Sequence, residues 1–258
     1  MTNLYPLAWL LILLAALMFL QRRLHFEIQA VLLLLTRRAE IALALFSLLF
    51  FPGVFLHETS HYVIARLVGV KTGHFSLLPQ PLPDGRLRLG YVETASTDLL
   101  RDALIGIAPL LAGGAFVIYA GQYQLDLPGL WESIRSTEMG SWTAGISKLY
   151  RLPDFWLWFY LVFAVSSTML PSASDRRAWL PVALFAVLVA GVALFAGAGA
   201  WMVGIWPHLA PWFNQGLRGL TLIFGISSAI HLILLPPCWL LRKSLARLRG
   251  LTIAQIGT

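Results

Sequence analysis

The chain has 258 residues, 58% of them hydrophobic and only 12% charged. Soluble domains carry about a quarter charged residues, so this composition excludes an ordinary water-soluble fold and points to an integral, multi-pass membrane protein. The formal net charge of +7 does not argue for nucleic acid, because the Lys and Arg residues sit mainly between apolar runs, as topology signals do.

Six apolar stretches follow one another, and about 20 residues are needed to cross a bilayer. The first, residues 4–20, lacks the basic leader and small-residue cleavage site of a signal peptide, so a retained span is expected. Residues 30–36 are apolar but bounded by Arg22, Arg23, Arg37 and Arg38, which predicts a short interfacial helix. The second stretch, residues 41–70, carries a polar motif in its last third. Between it and the third stretch, residues 103–120, lies a segment with a turn signal at Pro83-Asp84-Gly85. There Arg86-Leu87-Arg88-Leu89 alternates polar and apolar, which is strand periodicity and predicts a hairpin at one membrane surface. Residues 122–153 read as a polar loop with a short amphipathic helix. The fourth stretch is residues 155–170. The fifth, residues 178–203, contains Gly191, Gly197 and Gly199 and suits close helix packing. The sixth, residues 220–241, holds the only cysteine, Cys238, as a small packing residue. The expected fold class is therefore an all-α polytopic membrane protein with about six transmembrane helices and a small β-hairpin between the second and third spans.

Sidedness follows from Lys and Arg counts. Placing residues 71–101, 171–177 and the basic tail (Arg242, Lys243, Arg247, Arg249) on the cytosolic side gives ten there. The other side then holds eight, Arg22, Arg23, Arg37 and Arg38 among them. The polar motif is expected near the cytosolic face.

That motif is His57-Glu58-Thr59-Ser60-His61, an H-E-x-x-H. Charged and polar side chains inside an apolar span are expensive and mark function by default. On a helix, positions four apart lie on one face, so two imidazoles there can reach one Zn²⁺. Glu58 is turned around the helix and placed to take a proton from a water that zinc acidifies from a pKa of 15.7 towards about 7. Catalytic zinc takes a third protein ligand. The candidates are Asp175, Asp154, Glu93, Asp98, Asp102, His74 and His231. Charge balance favours a carboxylate, since one such ligand with ionised Glu58 neutralises a buried dication. Among these Asp175 follows the helix-breaking Pro171, with Ser172 and Ser174 as possible caps.

With these residues in view, the chain resembles the site-2 protease type of intramembrane metalloprotease. H-E-x-x-H late in a membrane helix ("PGVFLHETSH"), a β-ribbon after that helix and an Asp in a later membrane segment carry the resemblance. It implies that His57, His61 and Asp175 hold Zn²⁺, that Glu58 is the catalytic base, and that the partners are a transmembrane protein substrate and the lipid bilayer, without nucleic acid. It also implies a core of residues 39–180, preceded by an N-terminal span and interfacial segment (1–38) and followed by two C-terminal spans and a basic tail (181–258). An exposed strand from residues 73–78 or 86–93, with Arg86, Leu87, Arg88 and Leu89 as candidate substrate contacts, would pair with an unwound substrate. Pro52-Gly53 would either kink the motif helix or form a packing notch. This sequence departs from the family pattern at Ser60, usually Gly, in lacking a Gly after Asp175, and in echoing the intermediate-span motif only as Gly106-Ile107-Ala108-Pro109. Other readings are a zinc-binding homologue that does not cleave, a transporter with His57, His61 and His231 along a path, and a prenyl-tail protease with Glu132 or Glu138 as third ligand.

Overall fold

The computed structural model describes residues 5–77, 79–81, 87–136 and 139–250. The expected turn at residues 83–85, together with Leu78, Arg86 and Glu138, lies outside them.

Helix α1 (Tyr5–Thr36) runs unbroken through the segment expected as a separate interfacial helix. No Pro or Gly interrupts residues 20–36, and Leu24, Ile28, Val31 and Leu34 form a buried stripe at helical spacing along it. Arg37, in the left-handed region at φ 57°, turns the chain into α2 (Ala39–Leu67). Gly69, at φ 75°, closes α2 in the left-handed conformation that glycine adopts without steric penalty. The expected hairpin is present as a nested pair. Strand β1 (Thr72–Ser76) runs antiparallel to β4 (Tyr91–Thr94), and β2 (Gln80–Pro81) pairs with β3 (Leu87–Arg88).

Helix α3 (Leu99–Tyr119) starts on an Asp98 cap and ends in a wider turn at Ala120–Gln124. Two short helices, α4 (Leu127–Arg135) and α5 (Met139–Tyr150), pack together where a polar loop with one short amphipathic helix was expected. Helix α6 (Phe155–Ser166) is followed by an irregular turn, then α7 (Trp179–Phe195). The fifth apolar stretch does not continue to residue 203. Gly197, at φ 87°, breaks it, and the remainder joins the sixth stretch in α8 (Gly199–Leu248), 50 residues long.

Among the described residues, four helical segments are long and apolar enough to cross a membrane: α1, α2, α3 with its terminal turn, and α8. Helices α6 and α7 have 12 and 17 residues, or about 18 and 26 Å at 1.5 Å per residue. Both fall short of a hydrocarbon core of about 30 Å. The six apolar stretches thus fold as four helices of spanning length and two shorter ones.

Three contacts set how α1 and α8 lie. Ser228 donates to the Leu13 carbonyl (3.4 Å), Arg242 pairs with Glu27, and Arg249 donates to the Leu35 carbonyl (3.5 Å). The sequence separations are 215, 215 and 214, which only parallel helices in constant register produce. The basic tail therefore lies with Arg37 and Arg38 at one end, not on the opposite side as the charge count assumed. Once the tail moves, Lys and Arg no longer favour the motif end as cytosolic.

Helices α2 and α6 are also parallel: Tyr160 donates to the Leu49 carbonyl and His57 to the Thr168 carbonyl, both at a separation of 111. Helix α3 runs against α6, with Gly106 facing Asp175 and Gly113 facing Val165 and Met169. The apolar core between these helices includes Leu17, Leu24, Phe46, Phe50, Phe163 and Phe224. The C-terminal ends of α2 and α6, the start of α3 and the hairpin consequently meet at one end, and the site is there.

Candidate metal centre

His57 and His61 are neighbours on α2, with ring centroids 4.9 Å apart. Each ring is fixed by its Nδ1. His57 Nδ1 donates to the Thr168 carbonyl (2.7 Å) and His61 Nδ1 donates to the Ile105 carbonyl (2.8 Å). Both acceptors are carbonyls that a helix has left over. Thr168 lies just past the end of α6. Ile105 is four residues before Pro109, which has no N–H to bond it.

A carbonyl only accepts, so both Nδ1 atoms carry the hydrogen. In the neutral rings both Nε2 atoms then carry lone pairs. These point at one another, 3.2 Å apart. The Asp175 carboxylate completes the cluster, with Oδ2 at 3.7 Å from His57 Nε2 and Oδ1 at 3.4 Å from His61 Nε2. Three acceptors converge in a largely buried position, an arrangement that is repulsive without a cation. The spacing suits zinc: tetrahedral ligands at 2.0–2.1 Å sit roughly 3.3 Å from one another. The donor set also suits it, two imidazoles and a carboxylate, each imidazole oriented by a hydrogen bond from its other nitrogen. Among the described residues these three form the one cluster of such ligands.

The loop holding Asp175 is built to bring it here. Asp175 Oδ2 accepts from the Ser172 backbone N–H (2.7 Å), and Ser172 Oγ accepts from the Asp175 N–H (3.3 Å). The cap role that Pro171-Ser172 suggested is thus combined with a position facing the rings. Gly106 lets the loop approach α3, because a Cβ there would collide with the Asp175 carbonyl oxygen. Arg177 does not pair with Asp175 but straps the loop to α3 through two hydrogen bonds to Asp102 (2.8 and 2.7 Å). These bonds push the Arg177 guanidinium pKa further up. On the other side Gly53 admits α6, where a Cβ would overlap the Ala164 carbonyl and the Thr168 hydroxyl. Ser60 turns its hydroxyl back to the His57 carbonyl (2.6 Å) and so fits without disturbing the site.

Glu58 is buried and lines the same cavity, of about 730 Å³, as the three clustered residues. Gly90 lies over it, where a Cβ would come within 2.9 Å of Glu58 Cγ. Leu89, Val92 and Thr94 also face this cavity, so the hairpin forms one wall. Of the expected hairpin contacts, Leu89 reaches the cavity, Leu87 and Arg88 form β3, and Arg86 is outside the described residues.

The remaining candidate ligands are elsewhere. Glu93 borders the cavity but accepts from the His74 N–H (3.3 Å), and His74 itself is exposed on β1. Asp98 caps α3 through the Arg101 N–H (3.0 Å), Asp102 holds Arg177, and Asp154 begins α6 at its far end. Glu132 is exposed on α4. His231 is fully buried in α8, bonded to Ser167 and Ser227 rather than to the cluster. Sequence reasoning missed the two carbonyl acceptors, the Asp102–Arg177 strap and Gln21, which reaches the Ser167 carbonyl at 2.5 Å. Pro109 was the available signal for one of them, since a proline inside a helix always frees the carbonyl four residues earlier. No known family model matches the chain, and neither does a curated protein or a solved structure.

Proposed function

We propose that the protein is a zinc-dependent intramembrane endopeptidase, a divergent relative of the site-2 proteases it resembles. The observation that carries this reading is the convergence of the His57 and His61 Nε2 lone pairs on the Asp175 carboxylate beside buried Glu58. His57, His61 and Asp175 would hold the metal. A zinc ion bound there acidifies water and polarises a peptide carbonyl.

Glu58 takes the proton from the attacking water on its carboxylate and passes it to the nitrogen of the leaving amine, so one side chain serves as base and then acid. Thr168 and Ile105 hold the two rings in the tautomer that keeps Nε2 free of hydrogen. The substrate is a transmembrane segment of another protein. Its helical carbonyls are already hydrogen-bonded, so it unwinds locally and lies extended along the cavity wall that contains Leu89 and β4.

Purified Glu58→Gln, assayed in vesicles against a panel of single-span substrates, tests the reading. Metal content equal to wild type with cleavage reduced by about 10²–10⁴-fold is the expected result. Undiminished cleavage by this variant rejects Glu58 as the base. Metal binding with no cleavage by the wild-type chain favours the non-cleaving homologue instead.

A further inference from the structure

Helices α1 and α8 lie outside the group α2, α3 and α6 whose ends surround the clustered residues. Each nevertheless sends one polar side chain to the same spot, the end of α6 immediately before Thr168. From α1, Gln21 Nε2 donates to the Ser167 carbonyl at 2.5 Å. From α8, His231 receives the Ser167 hydroxyl at 3.0 Å on Nε2. The direction of this second bond is fixed. His231 Nδ1 lies 2.7 Å from the Ser227 carbonyl, which only accepts, so Nδ1 carries the hydrogen and Nε2 the lone pair.

Ser167, Ser227 and His231 are 2% exposed or less, and polar groups buried at such depth in an apolar protein are functional candidates. The next residue, Thr168, offers the carbonyl that sets the His57 ring. That carbonyl belongs to the following peptide unit, so a displacement of Ser167 reaches it through the Thr168 Cα and turns it away from Nδ1.

We infer that Gln21 and His231 are positioning residues: they clamp Ser167 from two sides and thereby hold the Thr168 carbonyl where it fixes the tautomer and aim of His57. The outer helices are then part of the metal centre. This rests on the zinc reading only for its consequence, since the clamp acts on the His57 ring whether or not a metal is bound.

The test uses the full chain with Ser167→Ala, which removes one oxygen and no carbon, together with Gln21→Leu and His231→Leu. His231→Gln serves as the conservative rescue, its amide oxygen lying where Nε2 does and able to accept from the Ser167 hydroxyl. Ser228→Ala is the control: it removes a hydrogen bond from the same helix to the Leu13 carbonyl without touching residue 167. One readout is ¹⁵N-histidine NMR of chelator-treated protein, following His57 Nδ1. The other is Co²⁺ affinity with its visible spectrum.

The three clamp variants are expected to move the His57 Nδ1 resonance, weaken Co²⁺ binding by about 10–100-fold and shift the spectrum. His231→Gln should restore all three, and Ser228→Ala should leave them as in wild type. Clamp variants with wild-type resonance and wild-type Co²⁺ binding, or a control that changes both as much as they do, overturn the inference. If the wild-type chain binds no Co²⁺ but the resonance still responds to the clamp variants, the metal reading falls and the positioning role stands.

Discussion

His57 and His61 are each aimed by a backbone carbonyl that its own helix does not use, and this leads to an unusual expectation for Pro109. Replacing it with Ala restores an N–H to α3 that can bond the Ile105 carbonyl, and helix propensity favours Ala over Pro by about 3 kcal/mol. The Pro109→Ala variant should therefore be as heat-stable as wild type or more so, yet bind zinc about 10–100-fold more weakly, because His61 must then share its orienting acceptor with the helix. Differential scanning of the metal-free protein with a chelator-competition titration reads both effects. At this scale the sequence was informative where chemistry depends on local spacing. His57, Glu58 and His61 share one helical segment, so four-residue periodicity alone placed the two imidazoles together. Asp175 is 114 residues from His61 and was reached through charge balance and resemblance. Thr168 and Ile105 act through backbone oxygens, which every residue possesses, so residue identity could not mark them.

The packing of α2 against α6 depends on Gly53, because the α6 backbone occupies the place of a side chain there. Gly53→Val should force the helices apart, costing on the order of 1–3 kcal/mol or more by overpacking, and should abolish zinc binding by moving Thr168 from His57. Gly69→Ala, at a left-handed position with open space around it, should cost stability while leaving metal affinity unchanged, which separates loss of fold from loss of site. The α1–α8 contact contains a buried ion pair, Glu27 with Arg242, and Arg23 also bonds Glu27 (2.9 Å). Removing one partner leaves an uncompensated buried charge, so Glu27→Met should destabilise by about 3–5 kcal/mol in a reversible detergent unfolding titration, and Arg242→Met in the same chain should recover most of it. Element boundaries were harder to read than element type. Arginines at both ends suggested that residues 30–36 stand alone, but nothing between residues 20 and 36 breaks a helix and the buried stripe of α1 runs through them. The opposite error occurred at residues 178–203, where one apolar run hides a left-handed turn at Gly197.

At the scale of the whole molecule, the parallel register of α1 and α8 puts Arg37, Arg38 and the end of α8 together, far along α2 from His57. Single cysteines introduced at Arg37 and at Arg249, in a chain with Cys238 replaced by Ala, should react with a membrane-impermeant reagent from the same side of sealed vesicles. A cysteine at Lys71, beside the hairpin, should react from the other side. Labelling of positions 37 and 249 from opposite sides contradicts the parallel pair. Charge counting misplaced the basic tail because it treats each loop independently, whereas the tail's position depends on which helices pair over more than 200 residues of sequence. The hairpin was legible because strand alternation and turn residues are local. Its role as a cavity wall was not, since that follows from where α2 ends. The proposed activity requires that three acceptor atoms from α2 and the loop after α6 enclose one metal ion. Its most direct test is metal analysis of the purified chain with X-ray absorption at the zinc edge. The account predicts one zinc per chain with two imidazoles and a carboxylate in its first shell, retained in Glu58→Gln and lost in Asp175→Ala. A wild-type chain that binds no zinc, or an Asp175→Ala chain that keeps an unaltered zinc site, would contradict it.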